Sequence, residues 1–498
     1  MDSAALAVVQ EVERMDEEGE KGGLLVFLPG KEEIEACRQL LLHSLLPPST
    51  PHQVLPLHAS LSPQDQLRVF EEGEGGGRKV ILSTNIAETS LTIPNIKVVI
   101  DTGVSRQKKV NEVTGLESLT VLPISQAQAN QRCGRAGRVG DGKCFRLFTE
   151  MSFQSLPLHS LPEMSRIGLD EVVLQLVALG VGDILGFDFL TPPSPLLIIR
   201  SVKRLVMMGA IEWKLLRTNE EEKEEEEEEN QQHKHLSLTP HGKELSCLPL
   251  PPILSNWLLA STSVSMSCFC QTLISVSLLS SSDNLFLYPS TEAKRNAAEA
   301  CRLAFKSPSG DHLSAINAYH SWLEAGRDRE WTYAHFLNGR ALFSTSKIAC
   351  QLIDQTCQIL SNREVAPLLP PADIRELKGR IEKGRVLMDE LKDEDVVEEV
   401  EGEFLRGMVK GLSPHIATLS PQSNSYRSFL LKADDLHIHP SSSIHGESPK
   451  PPVVIFSEVV ESSRRYMRMV TSIQSALLPE ILPSRFSVTT QITNSTVT

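Results

Sequence analysis

Residues 79–101, KVILSTNIAETSLTIPNIKVVID, decide the fold class of this chain. Two apolar runs, KVIL and IKVVI, flank a loop that is rich in hydroxyl and amide side chains. Apolar runs of this length are typical of strands that are buried on both faces of a parallel sheet. A polar loop at the carboxyl end of such a strand lies where open α/β sheets bind ligands, and its side chains can bond phosphate oxygens. The same loop is also compatible with a simple turn held by local capping bonds.

The same pattern extends on both sides of this stretch. Short apolar runs alternate with polar, helix-like stretches from Gly23 to about Phe148, which predicts a doubly wound α/β domain. Residues 104–124, VSRQKKVNEVTGLESLTVLPI, have strand-like segments around a Thr-Gly pair and predict a β-hairpin that projects from the sheet. The remaining segments of the pattern are LLVFLP (24–29), EEIEACRQLLLHSLL (32–46), VLPLHA (54–59) and SPQDQLRVFEEG (62–73).

After Pro162 the pattern changes to helical periodicity. Two segments, 169–180 and 198–211, each end in or near a glycine that suits a helix C-terminus, and the strand-like IEWKLL follows them. Helix, helix and hairpin are the outline of a winged helix. We predict an all-helical region from about 251 to 360 and a small β-barrel from about 405 to 481. The predicted barrel strands are LRGMVKGL (405–412), HIATL (415–419), SFLLKA (428–433), VVIFSEVVE (453–461) and YMRMVTSI (466–473).

The charge of the chain is unevenly distributed. Its 498 residues, enough for three or four domains at roughly 100 to 200 residues each, carry a formal net charge of −14. Residues 220–229 (EEEKEEEEEE) contribute −8 and residues 393–403 contribute −7, so the remainder sums to +1, and residues 103–146 carry +5. The first tract is compatible with a solvated loop or with an acidic docking segment. Net acidity therefore does not exclude nucleic-acid binding.

Several other function classes are disfavoured by the sequence. There is no long uncharged apolar run and no signal-peptide pattern at the start, so we expect an intracellular protein that does not bind a membrane. The nine Cys are dispersed without a CxxC pair, which indicates neither a zinc module nor a disulfide framework. Cys268 and Cys270 are expected in the core. His437, His439 and His445 could suggest a metal site, but alternating His in a strand is more often structural, and we predict no metal ligand in this chain.

The strongest functional motif is QRCGRAGR, residues 131–138. Arg135 and Arg138 are three residues apart, so on one helical turn both guanidinium groups would project in the same direction. Two such groups aimed at one point suit a triphosphate, where they would neutralise charge that develops on the γ-phosphoryl group. The alternative is a basic helix on a solvated face.

With these motifs the chain resembles the C-terminal part of a DEAH-box ATP-dependent RNA helicase of superfamily 2. The resemblance covers nearly the whole chain and is most specific at the ETSLTI ending and at the initial Gln of QRCGRAGR. Its segments occur in family order: LLVFLPGKEEIE (24–35), PLHASLSPQDQLRVF (56–70), STNIAETSLTI (83–93), GLESLTVLPIS (115–125), QRCGRAGR (131–138), LTPHGKELSCLPLPP (238–252), GDHLSAINAYHSW (310–322) and HIHPSSSIHG (437–446).

This resemblance implies a multidomain fold, in which an α/β RecA-like domain is followed by a winged helix, an all-helical ratchet-like domain and a small OB-like β-barrel. The expected boundaries are 1–155 for the second RecA-like lobe, 156–249 for the winged helix with an acidic insertion at 218–233, 250–370 for the ratchet-like domain, 371–403 for a helical and acidic linker, 404–482 for the OB-like fold and 483–498 for a flexible tail.

Site residues follow from the same resemblance. It implies that Gln131, Arg135 and Arg138 contact the γ-phosphate of ATP. Phe70 would stack on the adenine, with an ordinary core Phe as the alternative. The residues that the resemblance assigns to nucleotide binding are Phe70, Ser90 and Thr92, and those that it assigns to RNA binding are Thr84, Asn85, Lys108 and Lys109. The two Thr/Asn residues would hold phosphates without reading sequence. The two lysines lie on a hairpin that resembles a strand-separating element or is merely solvated.

Two motifs of the family are absent from the 498 residues. Neither G-x-x-x-x-G-K-[ST] nor Asp-Glu-Ala-His occurs, and these motifs supply the phosphate loop, its Lys and the carboxylate that holds Mg²⁺. We therefore expect that the first RecA-like lobe is missing, that Mg²⁺ of the ATP cofactor is held by that lobe, and that this polypeptide alone does not hydrolyse ATP.

The leading interpretation is an enzyme that couples ATP hydrolysis to translocation on single-stranded RNA and to RNA remodelling. The alternative is a catalytically silent, truncated form that acts as an RNA- or protein-binding module. An activator protein at the winged helix is the expected protein partner. The sequence does not decide between RNA and DNA as the substrate, because phosphate contacts do not read the 2′-hydroxyl. The expected compartment is nucleus or cytoplasm, and the resemblance favours the nucleus.

Overall fold

A computed structural model gives the fold. It describes residues 2–42, 52–59, 61, 63–71, 77–89, 92–110, 117–136, 140–215, 234–281, 284–287, 289, 292–385, 394–428, 433–461 and 464–478. None of the helices in these ranges has the length and apolar character needed to cross a bilayer. The chain divides into two compact units, Met1–Lys109 with Leu119–Glu163 and Val110–Ser118 with Met164–Thr498.

The first unit alternates strands with helices. Its elements are α1 (Asp2–Glu17), β1 (Gly23–Phe27), α2 (Lys31–Leu40), β2 (His52–Leu57), α3 (Pro63–Leu67), β3 (Arg78–Ser83), α4 (Ile86–Thr89), β4 (Ile96–Asp101), β5 (Val104–Val110), β6 (Glu117–Pro123), α5 (Gln126–Cys133), β7 (Lys143–Arg146) and α6 (Glu150–Ser155). Five strands form one sheet in the order β2-β3-β1-β4-β7, and every neighbouring pair is parallel. This sheet confirms the predicted α/β fold.

Alternation along each strand assigns its side chains to two core clusters, one on each face of the sheet. Leu24 and Val26 belong to one cluster, and Leu25 and Phe27 belong to the other. The cluster of Leu24 also contains the buried side chains of α1, which recur at helical spacing at Ala5, Val8, Val12 and Met15. The sequence analysis predicted neither α1 nor the four-residue strand β7.

The predicted hairpin is present as a separate two-stranded sheet of β5 and β6. The Thr114-Gly115 pair, which was the signal for its turn, lies outside the described residues. Lys108 and Lys109 are exposed on β5. At the base of this strand, the guanidinium of Arg106 lies 3.2 Å from the carboxylate of Glu33 on α2.

The second unit begins with two helices and a short antiparallel sheet. The elements are α7 (Asp170–Ala178), α8 (Pro195–Met207), β8 (Ile211–Leu215), β9 (Lys234–Leu238) and α9 (Pro240–Ser246). Gly180 and Gly209 follow the two longer helices with φ of 92° and 72°, as helix-ending glycines do. The assignment of this region as a winged helix stays a prediction, and its acidic insertion at 218–233 lies outside the described residues.

The next region of this unit is all-helical, as predicted, apart from isolated bridges. Its helices are α10 (Pro252–Ser261), α11 (Met266–Ser280), α12 (Glu292–Leu303), α13 (Asp311–Glu324), α14 (Arg329–Ala334), α15 (Gly339–Ser361), α16 (Pro371–Glu382) and α17 (Glu394–Gly411). Cys268 and Cys270 are buried in its core, as expected, and burial raises the pKa of both thiols to about 12. Their thiolates are therefore scarce near neutral pH.

The prediction of a strand at LRGMVKGL, residues 405–412, is wrong. These residues lie at the end of α17, where the buried Leu405, Met408, Val409 and Leu412 follow the spacing of a helix face. Glycine lowers helix propensity, but close packing requires it here. A Cβ on Gly411 would lie 2.3 Å from the Cα of Trp257 on α10.

The predicted small barrel is confirmed and is closed. Its strands are β10 (Ile416–Leu419), β11 (Tyr426–Ser428), β12 (Ala433–Ile438), β13 (Val453–Glu461) and β14 (Arg465–Ser472), in the order β10-β11-β12-β14-β13. The pair β12 and β14 is parallel, and the other pairs are antiparallel. The predicted tail, 483–498, lies outside the described residues.

The barrel and the helical region share one junction and one core. The carboxylate of Asp311, at the start of α13, accepts hydrogen bonds from the backbone amides of Ser443 (2.6 Å) and Val470 (2.8 Å). A single core cluster extends from Leu169 through the helices to Leu478 and includes Ile416, Val453, Ile455 and Ile473. The helical region therefore depends on barrel residues to complete its interior.

Candidate functional site

The candidate site begins at the carboxyl ends of β2, β3 and β1, which are neighbours in the sheet. The backbone N–H of Thr84 donates to the carbonyl of Leu57 (3.1 Å), and that of Leu28 donates to the carbonyl of Ser83 (2.8 Å). The three chain segments that leave these strands are thereby held together. Thr84 is half-buried and Asn85 is exposed. Their hydroxyl and amide groups lie at the edge where parallel sheets bind ligands.

A short helix, α4, follows these two residues. The backbone amide of Glu88 donates to the carbonyl of Asn85 (2.9 Å), so the Thr/Ser-rich loop includes an ordered turn. Thr92 is exposed beyond it, and Ser90 lies outside the described residues. The nucleotide-binding role of Thr92 and Ser90 therefore stays a prediction.

The motif QRCGRAGR lies at the end of α5. This helix starts with a capping box, in which the Ser125 side chain accepts from the amide of Gln128 and the Gln128 side chain accepts from the amide of Ser125. The helix ends at Cys133, and the amides of Arg135 and Ala136 then donate to the third preceding carbonyls, those of Arg132 and Cys133. Arg135 therefore follows the helix in a tighter turn, and the expectation that its guanidinium projects in the same direction as that of Arg138 stays a prediction. Arg138 lies outside the described residues.

Arg135 is directly connected to the loop after β3. Its guanidinium donates to the backbone carbonyl of Glu88. Gln131, one turn earlier on α5, is exposed, and Arg135 is half-buried. The structure therefore brings together two motifs that lie far apart in the sequence, one with phosphate-binding guanidinium chemistry and one with hydroxyl and amide groups.

Arg132, between these residues, has a different environment. Its side chain is 1% exposed, and it pairs with two carboxylates, Asp101 at 2.7 Å and Glu88 at 3.1 Å. It also donates to the carbonyl of Val104 (3.2 Å), and its guanidinium carbon lies 4.8 Å from the ring centre of Phe27. Sequence reasoning missed this residue. The available signal was Asp101 at the end of the apolar run IKVVID, because a carboxylate that is buried there needs a cationic partner.

These ion pairs also bear on metal binding. Glu88 is 5% exposed and Asp101 is 0% exposed, and both carboxylates are engaged by Arg132. Neither carboxylate is presented to solvent as a ligand for Mg²⁺. The expectation that the first RecA-like lobe holds the Mg²⁺ of ATP stays a prediction.

Phe70 follows α3 in a turn, with its amide donating to the carbonyl of Leu67 (2.9 Å). Its ring is half-buried against the core cluster that contains Leu25 and Ile81. Part of the ring stays accessible, so both the adenine-stacking role and the core role remain open for this residue.

His58 follows β2 at the same edge as Thr84. Burial, together with the neighbouring Lys31, lowers the pKa of His58 to about 4. The imidazole is therefore neutral near pH 7 and does not add positive charge to this edge.

The barrel histidines have local polar partners. His437 Nε2 lies 3.1 Å from the carboxylate of Asp435, and His445 Nδ1 lies 3.2 Å from the carbonyl of Ile438. His439 Nδ1 lies 2.7 Å from the hydroxyl of Ser441. In the part of the chain that the structure describes, no three His, Cys, Asp or Glu side chains are grouped to hold a metal ion.

Two family models match this chain. The model described as "Helicase conserved C-terminal domain" matches residues 5–140, and the model described as "Oligonucleotide/oligosaccharide-binding (OB)-fold" matches residues 406–485. The first match identifies the sheet domain as the helicase C-terminal, RecA-like domain. The second identifies the closed barrel as an OB fold.

Curated relatives match over nearly the whole chain. "Probable ATP-dependent RNA helicase DHX35" of Homo sapiens is 32% identical over 482 residues, which are 96% of this chain and 60% of that protein. The protein of the same name from Pongo abelii is 32% identical over 97% of this chain and 60% of its own length. "Pre-mRNA-splicing factor ATP-dependent RNA helicase prp22" of Schizosaccharomyces pombe is 32% identical over 97% of this chain and 36% of its own length. The chain thus spans between about a third and three fifths of these relatives.

Proposed function

Because the chain belongs to the DEAH-box RNA helicases, in the region that carries their helicase C-terminal domain and OB fold, we propose that it works in an ATP-dependent RNA helicase. The proposed activity couples ATP hydrolysis to translocation on single-stranded RNA and to RNA remodelling. The observation that carries this proposal is the hydrogen bond from the Arg135 guanidinium to the Glu88 carbonyl. It joins a phosphate-binding motif to a loop that is suited to hold RNA.

In this mechanism the chain supplies positive charge to the γ-phosphoryl group of ATP. Gln131 is exposed and Arg135 is partly accessible at the end of α5, so both can approach a phosphate that arrives from solvent. Arg138 would add a second guanidinium. ATP bound with Mg²⁺ would supply the transferred phosphoryl group and the free energy of hydrolysis. The three side chains would stabilise the charge that develops in the transition state.

The RNA contacts proposed for this chain lie at the sheet edge and on the hairpin. Thr84 and Asn85 offer a hydroxyl and an amide, which bond phosphate oxygens without reading bases. Lys108 and Lys109 add exposed positive charge on β5. Contacts of this kind do not depend on the RNA sequence, which suits an enzyme that moves along any strand.

We further propose that the 498 residues hydrolyse no ATP by themselves. They contain neither the phosphate loop motif nor the Asp-Glu-Ala-His motif. Phosphate release by the purified chain, measured with and without single-stranded RNA, tests this point. Turnover that RNA stimulates and that Arg135→Ala abolishes would overturn it.

A second candidate is a catalytically silent module that binds RNA or protein. The observation in its favour is the exposure of three apolar side chains in the predicted winged-helix region, Leu179, Leu185 and Leu190. Such side chains suit a protein partner such as an activator. The domains proposed here keep the predicted boundaries, with the winged helix at 156–249 and the ratchet-like domain at 250–370. A nuclear location is favoured by the splicing-factor relative.

RNA affinity is the central test of the proposed function. The purified chain should bind a labelled single-stranded RNA, and Asn85→Ala and Lys108→Ala should each weaken binding. Lys21→Ala is the matched control, because Lys21 is exposed at the opposite, amino end of β1. A single-stranded DNA of the same sequence separates RNA from DNA as the substrate. Unchanged affinity in both test variants would remove the support for the RNA grip.

A further inference from the structure

Arg132 joins segments that carry the two proposed RNA contacts. Its Nε bonds to Glu88 on α4, whose backbone amide bonds to the carbonyl of Asn85 in the turn after β3. Its Nη1 bonds to Asp101 at the end of β4 and to the carbonyl of Val104. Val104 is the first residue of β5, and Lys108 lies four residues further along the same strand, about 13 Å at strand spacing. One side chain therefore touches both the turn and the base of the hairpin.

The partners of Arg132 are themselves fixed in place. The Asp101 carboxylate also accepts from the amide of Gly103 (2.9 Å), where φ is 73°. The Gly103 carbonyl in turn accepts from the amide of Ile124, directly after β6 (3.0 Å). The second oxygen of Glu88 accepts from the Gln128 side chain (3.1 Å). Both strands of the hairpin and the turn after β3 are thus connected through one guanidinium.

Burying three charged groups in a protein interior is energetically unfavourable. Removing three charged groups from water costs more than packing apolar side chains of similar volume, so a buried ion cluster is weak evidence for stability. Such a cluster does fix geometry, because a planar guanidinium accepts its partners only in defined directions. The cluster therefore fixes the position of the turn relative to the hairpin.

We infer that Arg132 is a positioning residue that couples the turn at Asn85 to the hairpin at Lys108, so that RNA held at one contact changes the strength of the other. The coupling rests on the proposed RNA grip. Arg132 itself touches neither RNA nor ATP, and its contribution is the rigid connection between two elements that do.

A double-mutant cycle on RNA affinity measures this coupling. Asn85→Ala, Lys108→Ala and their combination are prepared in the full chain and in two further backgrounds, Arg132→Lys and Asp101→Asn. Lysine keeps the charge but has no fork to bond two carboxylates, and Asp101→Asn keeps the shape while it removes one charge. Thermal unfolding establishes which variants are folded. If the Arg132→Lys variant is not folded, the test of the coupling uses the Asp101→Asn background alone.

In the unmodified chain we expect the affinity of the double variant to differ from the product of the single effects by about fivefold. In both altered backgrounds the effect of the double variant on RNA affinity should equal the product of the two single effects to within about twofold. A structural role for Arg132 would lower stability without changing this ratio. The inference would be overturned if the effects of Asn85→Ala and Lys108→Ala on RNA affinity simply multiply in the unmodified chain. It would also be overturned if their coupling persists in either folded background. Neither result would contradict the proposed RNA contacts themselves. Single variants that do not alter affinity would overturn both.

Discussion

The Nδ1 atom of His312 on α13 lies 2.8 Å from the hydroxyl of Thr471 on β14. The other ring nitrogen, Nε2, lies 2.8 Å from the hydroxyl of Ser457 on β13. The ring also meets the indole of Trp257 edge to face, with 5.7 Å between ring centres. One buried imidazole therefore connects the helical region with two strands of the barrel.

Acid should weaken the fold through this histidine. Burial lowers the pKa of His312 to about 4, while the Asp311 carboxylate acts in the opposite direction. Above pH 6.5 the ring is neutral in both states. As the pH falls from 6.5 towards 4, the unfolded chain takes up a proton that the folded chain does not, so the free energy of unfolding decreases, by about 3 kcal/mol in the limit. Urea unfolding at several pH values measures this slope.

His312→Gln is the control for this prediction. Four other histidines with lowered pKa values remain in that variant, so part of the slope should persist: His52, His58, His320 and His415. The difference between the two slopes is the quantity that reports on His312. Equal slopes for the two proteins would contradict the prediction.

Asp311→Ala should destabilise the junction between the helical region and the barrel. The change removes the acceptor of two partly buried backbone amides, those of Ser443 and Val470. We expect a loss of about 3 kcal/mol in the free energy of unfolding. Asp311→Asn keeps one acceptor oxygen and should lose less. Equal stability of all three proteins would show that these bonds contribute nothing.

Two glycines in helices should respond to alanine in opposite directions. A Cβ on Gly242 in α9 would lie 1.8 Å from the carbonyl oxygen of Ala210, whereas a Cβ on Gly379 in α16 meets nothing within 4 Å. Gly242→Ala should therefore cost about 2 kcal/mol or more. Gly379→Ala should raise stability by about 1 kcal/mol, because alanine is the better helix former. The thermal midpoints of the two variants measure these effects. If both midpoints shift in the same direction, the packing argument is refuted.

Lys108→Ala should reduce the salt dependence of RNA binding. If this lysine neutralises one phosphate, its removal lowers the slope of log affinity against log salt by about 0.7 for a single strand. Anisotropy titrations between low and moderate salt give the slope. Lys21→Ala should leave the slope unchanged, and equal slopes for Lys108→Ala and the unmodified chain would exclude a phosphate contact at Lys108.

The central strands of the sheet could be predicted because their signal is local. β1, β3 and β4 are near-continuous apolar runs, and such runs are buried wherever a parallel sheet forms. β7 has no such signal, since it is four residues long and none of them is fully buried. Its place in the sheet depends on pairing with β4, which the sequence does not show.

One feature of the fold and one of the site depended on tertiary contacts. The apolar residues of 405–412 recur at helical spacing, but Gly407 and Gly411 lower the helix propensity of this stretch. Both glycines are required because Cys268 and Trp257 pack closely against them. Arg132 and Arg135 carry the same side chain within one motif. Arg132 is buried between two carboxylates and Arg135 donates to the backbone carbonyl of Glu88, and only the positions of Glu88 and Asp101 distinguish them.

The core cluster that extends from Leu169 to Leu478 has a consequence for how the chain is made. Synthesis proceeds from the N-terminus, so helices α7 to α16 are finished while the residues that close their interior have not yet been added. Ile473 and Leu478 belong to the last segment that the structure describes, and they belong to this cluster. The second unit can therefore reach its final packing only after Leu478 has been synthesised, and until then the exposed apolar faces of its helices can bind chaperones or one another.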